Sequence, residues 1–442
     1  MRLAVRIDDE RGIVAFSVLG PRSRQAVAAA AVAQRGGMEA VYQLLLRGRE
    51  RQVKAVSRTV TDAASWPAVR RRRCSDYRMA CPDDKDNIVE CRCFIRRAKL
   101  DRLVERAMRK LRDYFTQLQS SLPPQGPGFS AVVMRADETV FELHHGMASL
   151  ELKVPLSGKS AYYLASESKQ FTAACVMSLV RDGTIGLDTD VCAHLPELAG
   201  FEQAFPLRSL LNHSSGIPDY FQFLQCQLRR HEADYFNNRT ILDLIARMDT
   251  VECPTLAEHR YSNSNYILLA ALVERLTGMP LARYAKTTLF EPLDMRRLAF
   301  DDDRFAVIED RVFSYETDPL RPFGYKQHLG NANTVGDGGV YGSTDELLRW
   351  EREWHRQWED KSSLLHAMLQ ASPLLDGTIP SYRFGLEVMQ SAARDVVFHS
   401  GCLWGFNSLI LRLPQAHMSI IHLANCEPAA PSMDRLLEAA LG

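Results

Sequence analysis

Strand-forming sequence occurs in two blocks at opposite ends of the ordered part of the chain, with a helical stretch between them. Phe129–Met134 and Thr139–Leu143 read as two strands joined by a polar turn at Arg135-Ala-Asp-Glu138. Strand character returns at Val396–Phe398, Asn407–Leu413 and Met418–Leu423, again joined by short turns. Short turns make successive strands antiparallel neighbours. The middle, from about Asp188 to Arg321, is mostly helical in pattern. Ile241–Met248 and Tyr266–Leu276 carry apolar stripes at helical spacing, the second stopped by Gly278. A further stripe (Leu100, Leu103, Val104, Ala107, Leu111, Phe115) precedes the first strand, and Met433–Leu441 closes the chain as a helix. These segments predict an α+β fold: an antiparallel sheet flanked by N- and C-terminal helices, with an inserted, mainly helical domain and a cleft between the two.

A chain of 442 residues is too long for one simple core and accommodates two or three domains. Formal net charge is +0, yet residues 1–99 hold 21 Lys and Arg against 11 Asp and Glu. Arg70-Arg-Arg-Arg73 ends an arginine-rich stretch that carries no helix-turn-helix, RNA-binding or aromatic stacking pattern, so no nucleic-acid partner is expected. Residues 1–97 read as a basic, poorly ordered extension, and 98–442 as the working domain, with its helical subdomain at about 188–321. The chain contains no apolar run long enough for a transmembrane helix. Ala26–Ala33 follows Arg22 and Arg24 in the manner of a signal peptide, but it is short, lacks leucine and is preceded by Asp8, Asp9 and Glu10. The sequence leaves the compartment open, with a cytoplasmic location only slightly preferred over export. Of the 10 cysteines, Cys74, Cys81, Cys91 and Cys93 crowd the basic segment at spacings that fit no common zinc pattern. No metal and no cofactor are expected.

The chemistry-bearing residues lie at three places. Ser166-Glu167-Ser168-Lys169 opens the apolar helical run Phe171–Val180. Positions i and i+3 share a helix face, so the serine hydroxyl and the lysine amine can meet. A serine becomes a nucleophile when a neighbouring base takes its proton, and lysine serves as that base when burial lowers its pKa. A serine at a helix start also has its own backbone N–H among the unpaired donors there. Tyr261-Ser262-Asn263 sits in a polar loop immediately ahead of the helix at Tyr266. Its phenol can pass a proton beside a cation, and its amide can hold Lys169 or a substrate carbonyl. Tyr235-Phe-Asn237 repeats the pattern without that context and is set aside. His399-Ser400-Gly401 falls at the end of a strand, entering a glycine-punctuated turn. Gly401 permits close backbone approach, and the N–H of Cys402 would face the same cavity as that of Ser166. Tyr220, Phe221, Trp404 and Phe406 are candidate lining aromatics.

Ser166-x-x-Lys169, Tyr261-x-Asn263 and His399-x-Gly401, in that order, resemble the motifs of the class C β-lactamase and penicillin-binding-protein-like serine hydrolases (peptidase S12 type). The segments Leu211-Asn-His-Ser-Ser-Gly-Ile-Pro-Asp-Tyr220, Leu289–Met295, Gly336-Asp-Gly-Gly-Val-Tyr341 and Leu423-Ala-Asn425 are similar too, and the likeness covers residues 100 to 442. The resemblance implies a covalent acyl-enzyme. Ser166 attacks a carbonyl, Lys169 and Tyr261 manage its proton, and the N–H groups of Ser166 and Cys402 hold the oxyanion, with Asn263, His399 and Gly401 on the substrate side. β-Lactamases carry Lys-Thr-Gly where this chain has His399-Ser-Gly401. A histidine is mostly neutral at pH 7 and offers no permanent cation to a penicillin carboxylate. The expected activity is hydrolysis of an ester or a small amide or peptide, with weak or no β-lactamase action. The alternatives are a β-lactamase, a D-alanyl carboxypeptidase or D-aminopeptidase, and, from another class, a non-catalytic binder on the hydrolase fold.

Overall fold

The computed structural model describes residues 2–8, 13–19, 105–226, 235–321, 324–391 and 394–441. The rest of the basic N-terminal segment, with its alanine-rich stretch and Cys74, Cys81, Cys91 and Cys93, lies outside the described residues. Arg2–Asp8 and Ile13–Leu19 pair as an antiparallel hairpin, Arg2 opposite Leu19 and Asp8 opposite Ile13. It belongs to a unit separate from the one that begins at Lys85.

The second unit is built on one six-stranded sheet. Its strands are β1 (Phe129–Arg135), β2 (Glu138–His145), β3 (Glu387–Ser391), β4 (Arg394–Leu403), β5 (Phe406–Leu413) and β6 (Met418–Ala424). They lie in the order β3-β4-β5-β6-β1-β2, and every neighbouring pair is antiparallel. The two sequence blocks meet where β6 pairs with β1, Ala424 opposite Phe129 and Met418 opposite Arg135.

The helices that matter here are α1 (105–120), α2 (Lys169–Arg181), α3 (Asn263–Thr277), α4 (Thr344–Gln357) and α5 (Met433–Leu441). The side-chain alternation of a strand sorts the core. Ala131, Val133, Leu409, Leu411 and Ile420 point to one face, where Leu111 and Phe115 of α1 and Leu436 and Ala440 of α5 cover them. Val132, Met134, Ile410, Ile421 and Leu423 point to the other, against Phe171 of α2 and Trp350 and Trp354 of α4. The flanking terminal helices therefore share one face, and α2 and α4 pack over the other. Helix α2 is buried from Lys169 through Leu179, as a helix apolar on all sides should be. Gly278, at φ +70°, ends α3.

Three details differ from the pattern in the sequence. The helix expected at Ile241–Met248 runs Asn238–Ile245, because Asn237 and Thr240 form a capping box that starts it earlier. The second Tyr-x-Asn thus supplies a helix cap. Helical structure in the insert ends by Phe290, and the following stretch consists of turns and short strands, including Ala299–Phe300, Tyr315–Thr317 and Val340–Gly342. That segment has no helical apolar stripe and carries the run Asp301-Asp302-Asp303. Finally, β4 continues through His399-Ser400-Gly401 to Leu403, and the turn is Trp404-Gly405, at φ +47° and +77°. The pairing of Gly401 with Ser408 and Leu403 with Phe406 carries the strand onward. Among the described residues no helix is long and apolar enough to cross a membrane.

Candidate active site

Ser166 lies on a 3-10 turn, Ala165–Ser168, that runs directly into α2 at Lys169. The turn is held from three sides. Leu164 N–H donates to Val340 O at 2.8 Å, Ser408 Oγ donates to Leu164 O at 2.6 Å, and Val340 N–H donates to Ser168 Oγ at 3.0 Å. Ala165 adopts φ +49°, a left-handed conformation that costs about 1 kcal/mol or more for a residue with a Cβ. Strand β4 lies directly against this turn at Gly401. A Cβ there would sit 2.2 Å from Leu164 O and 2.9 Å from Ser166 N, so only glycine fits.

Lys169 is fully buried. Its Nζ makes three contacts: Ser166 Oγ at 3.0 Å, Asn263 Oδ1 at 2.8 Å and Asp337 O at 2.6 Å. Two of these partners are pure acceptors. A neutral amine would satisfy both with its two N–H bonds and turn its lone pair to the Ser166 hydroxyl. Desolvation pushes the Lys169 ammonium down to about 8, with Asp337 and Asp219 opposing the shift. Neither carboxylate forms an ion pair with it. Asp219 Oδ2 accepts from Asn263 Nδ2 at 2.9 Å and from Asn263 N–H at 3.2 Å, which turns the Asn263 carbonyl toward Lys169. Asp337 Oδ2 accepts from the Tyr220 hydroxyl at 2.7 Å, and burial raises the Asp337 carboxyl.

Tyr261 lies in the loop before α3. Lys169 Nζ is 5.0 Å from the centre of its ring. Some 39 % of the residue is exposed. The exposure is that of the whole residue, whereas the crowding around the hydroxyl governs its titration: desolvation raises the phenol well above the usual tyrosine range, and a hydrogen bond to Ser166 acts against it. The Tyr261 ring lies 4.1 Å from that of His213, tilted 31°.

His399 is buried, and both ring nitrogens are occupied. Tyr382 hydroxyl is 3.0 Å from Nε2, and Ser400 O is 2.7 Å from Nδ1. A carbonyl can only accept, so Nδ1 carries the proton and Nε2 accepts from Tyr382. Desolvation, with Lys169 adding to it, lowers the imidazole to about 3, so it is neutral. Strand β3 pairs with β4 only as far as Phe398, which leaves the following residues of β4 an open edge. The two-residue turn makes Leu403 and Phe406 a hydrogen-bonded pair. Alternation along the ladder then points the N–H and C=O of Cys402 away from β5, to the open side.

A cavity of about 280 Å³ lies at that edge, lined by Ser166, Asn263, Asp337, Phe221, Cys402 and Leu403, among others. A second, of about 170 Å³, adjoins it through Tyr163 and is lined by Arg304, Arg311, Tyr341, Trp404 and Phe406. Of the residues named from sequence, Ser166, Lys169, Tyr261 and Asn263 converge directly. Cys402 shares the cavity, while Gly401 and His399 stand behind its wall. Sequence reasoning did not single out His213, Asp219, Asp337 or Tyr382. The first three lie within the quoted Leu211–Tyr220 and Gly336–Tyr341 segments, and only Tyr382 had no signal of any kind.

The beta-lactamase family model matches residues 100–441. The chain therefore belongs to the beta-lactamase family of serine hydrolases. It is similar to the D-aminopeptidase of Gluconobacter oxydans (strain 621H), 28 % identical over 326 residues that cover 73 % of this chain and 61 % of that protein. The D-aminopeptidase of Brucella canis is 26 % identical over 320 residues, 72 % of this chain and 60 % of that one. The chain thus spans about three fifths of the length of these relatives. Among solved structures, the fold matches the octameric penicillin-binding protein homologue from Pyrococcus abyssi with TM-score 0.64 and 21 % identity, over 76 % of this chain and 77 % of that one. It matches the D-amino acid amidase from Ochrobactrum anthropi SV3 with TM-score 0.60 and 21 % identity, over 73 % and 96 %.

Proposed function

We propose that the protein hydrolyses small amides and esters through an acyl-enzyme on Ser166, and that its substrates include D-aminoacyl amides. The contact between Lys169 Nζ and Ser166 Oγ, with both other Nζ contacts made to acceptors, carries this reading. Ser166 Oγ forms a bond to the substrate carbonyl carbon as its proton passes to the Lys169–Tyr261 pair. The Ser166 and Cys402 N–H groups steady the oxyanion. The pair returns the proton to the leaving amine or alkoxide, and water then cleaves the ester on Ser166 by the same steps in reverse order. Lys169 and Tyr261 titrate as a coupled pair, so the proton belongs to both.

The choice of amide follows the two D-aminopeptidase relatives, and the adjoining cavity gives room beyond the acyl group. Little penicillin turnover is expected, because His399 is neutral and both its nitrogens are engaged. The test is a panel of p-nitrophenyl esters, D- and L-aminoacyl amides and a cephalosporin, with wild type and Ser166→Ala. Ser166-dependent release from D-aminoacyl amides and esters, with a fluorophosphonate adduct on Ser166, is expected. Rapid cephalosporin cleavage without amide or ester turnover would overturn the reading. No adduct in either protein would favour a binder on the hydrolase fold.

A further inference from the structure

We infer that His213 is a positioning residue that holds Tyr261 against the Ser166–Lys169 pair. The inference rests on the reading of Tyr261 as a proton-transfer group.

Tyr261 belongs to no helix or strand, and a loop side chain keeps a set geometry only if something outside the loop holds it. His213 grips the backbone on both sides of it. The His213 carbonyl accepts from Arg260 N–H at 2.7 Å, and its Nδ1 accepts from Ser262 N–H at 3.2 Å. The imidazole then lies on the Tyr261 ring, with centroids 4.1 Å apart and planes 31° from parallel. Tyr382 and Tyr266 close on the imidazole at 4.5 Å and 5.1 Å, so it cannot turn away. His213 itself is fully buried.

The protonation state follows from the partners. Asn265 Oδ1 accepts from Ser215 Oγ at 2.6 Å, which orients the amide and leaves Asn265 Nδ2 to face His213 Nδ1 at 3.3 Å. Two N–H groups converge on Nδ1, so it carries a lone pair and the proton is on Nε2. That Nε2–H is buried and has no hydrogen-bond partner among the described residues. An unpaired buried donor is costly. A ring kept there for packing alone would be better as phenylalanine, so the nitrogen at Nδ1 is what the site uses. The backbone at φ +58° adds a constraint that asparagine tolerates better than most residues.

Two substitutions separate the grips. His213→Phe keeps the stacked ring and loses the acceptor for Ser262 N–H. His213→Asn suits the left-handed backbone, can supply an acceptor and loses the ring. Each is made in wild type and in Tyr261→Phe, and the rate of Ser166 acylation by a fluorophosphonate and the KM for an ester are measured. We expect Tyr261→Phe and each His213 variant to slow acylation by about 10-fold or more with KM within about twofold. In the Tyr261→Phe background the His213 substitutions should cost less than about threefold, because residues that act as one unit are non-additive. Equal losses in both backgrounds would make His213 merely structural and overturn the inference. If Tyr261→Phe costs nothing, the role of Tyr261 and this inference fall together, while a Ser166 adduct would leave the reaction standing. A measurement on the wild type covers variants that fail to fold: 15N NMR of the imidazole should show Nδ1 unprotonated and Nε2 protonated from pH 6 to 9. A protonated Nδ1 overturns the inference.

Discussion

At the scale of single residues, the proposed reaction turns on Lys169, whose burial favours the neutral amine that a base requires. With its pKa lowered to about 8, Lys169 exchanges its proton near neutral pH, where an exposed lysine stays charged. The sign is direct. A base must be neutral, so kcat/KM for an uncharged ester should rise with pH up to about 8 and level off above it. A rate that falls between pH 6 and 8 would exclude Lys169 as the base. Lys169→Arg keeps the charge but cannot be deprotonated, and acylation should drop by at least about 1,000-fold, read as loss of the fluorophosphonate adduct. Asn263 is oriented by Asp219, and the motif spacing named the first of these without the second. Spacing along a chain identifies groups that must share a turn, whereas a partner 44 residues away is brought in by folding.

At the scale of elements, the site is a meeting of a 3-10 turn with the open edge of β4. The approach is set by Gly401, whose missing Cβ leaves room for Leu164 O and Ser166 N. Gly401→Ala must push β4 away from backbone atoms that have no rotamer to change. We expect kcat to fall by about 100-fold, with a stability loss of about 1–3 kcal/mol measured by urea titration. Unchanged kcat would show that the turn and strand adjust freely. The sequence marked His399-x-Gly401 as the start of a turn because glycine commonly punctuates strands. The turn instead falls at Trp404-Gly405, while the close backbone approach also expected at Gly401 is present. One residue type answers both needs, so local pattern does not separate them.

At the scale of the whole molecule, the sheet is tied to α2 and α4 by buried polar groups. Arg412 of β5 pairs with Glu351 of α4 through Nε at 2.8 Å and a terminal nitrogen at 2.6 Å, and it donates to Gln170 of α2 at 2.9 Å. Both charges are almost wholly buried. Removing one partner strands the other, so Glu351→Leu should cost about 3–5 kcal/mol. The double variant Glu351→Leu, Arg412→Met should recover most of that loss in urea titration; an additive loss would overturn this account. A loss of stability in acid is expected from a separate source. Desolvation lowers His422, set between Phe115 and Phe129, to about 3, as it does His399. Their folded pKa values lie below the ordinary value of 6.5, so the unfolded chain binds more protons in that window. The stability they contribute is full above about pH 6.5 and is lost as pH falls toward 3. His422→Leu should flatten the decline of Tm between pH 6.5 and 4, and an unchanged slope would place the acid sensitivity elsewhere.

Much of this protein is legible in the order of its residues. Strand alternation, helical stripes and turn residues are local consequences of side-chain volume and backbone freedom, and they predict an antiparallel sheet with a helical insert. The Ser166-x-x-Lys169 pair is likewise local, because one helical turn brings its members together. Tertiary structure alone decided that β6 would close on β1, that Lys169 would be dry enough to give up its proton, and that His399 would be held by Tyr382 rather than left open to the cleft. It also set His213 beneath Tyr261. Each of these depends on desolvation or on contact between segments distant in sequence, and neither is a property of a residue and its chain neighbours.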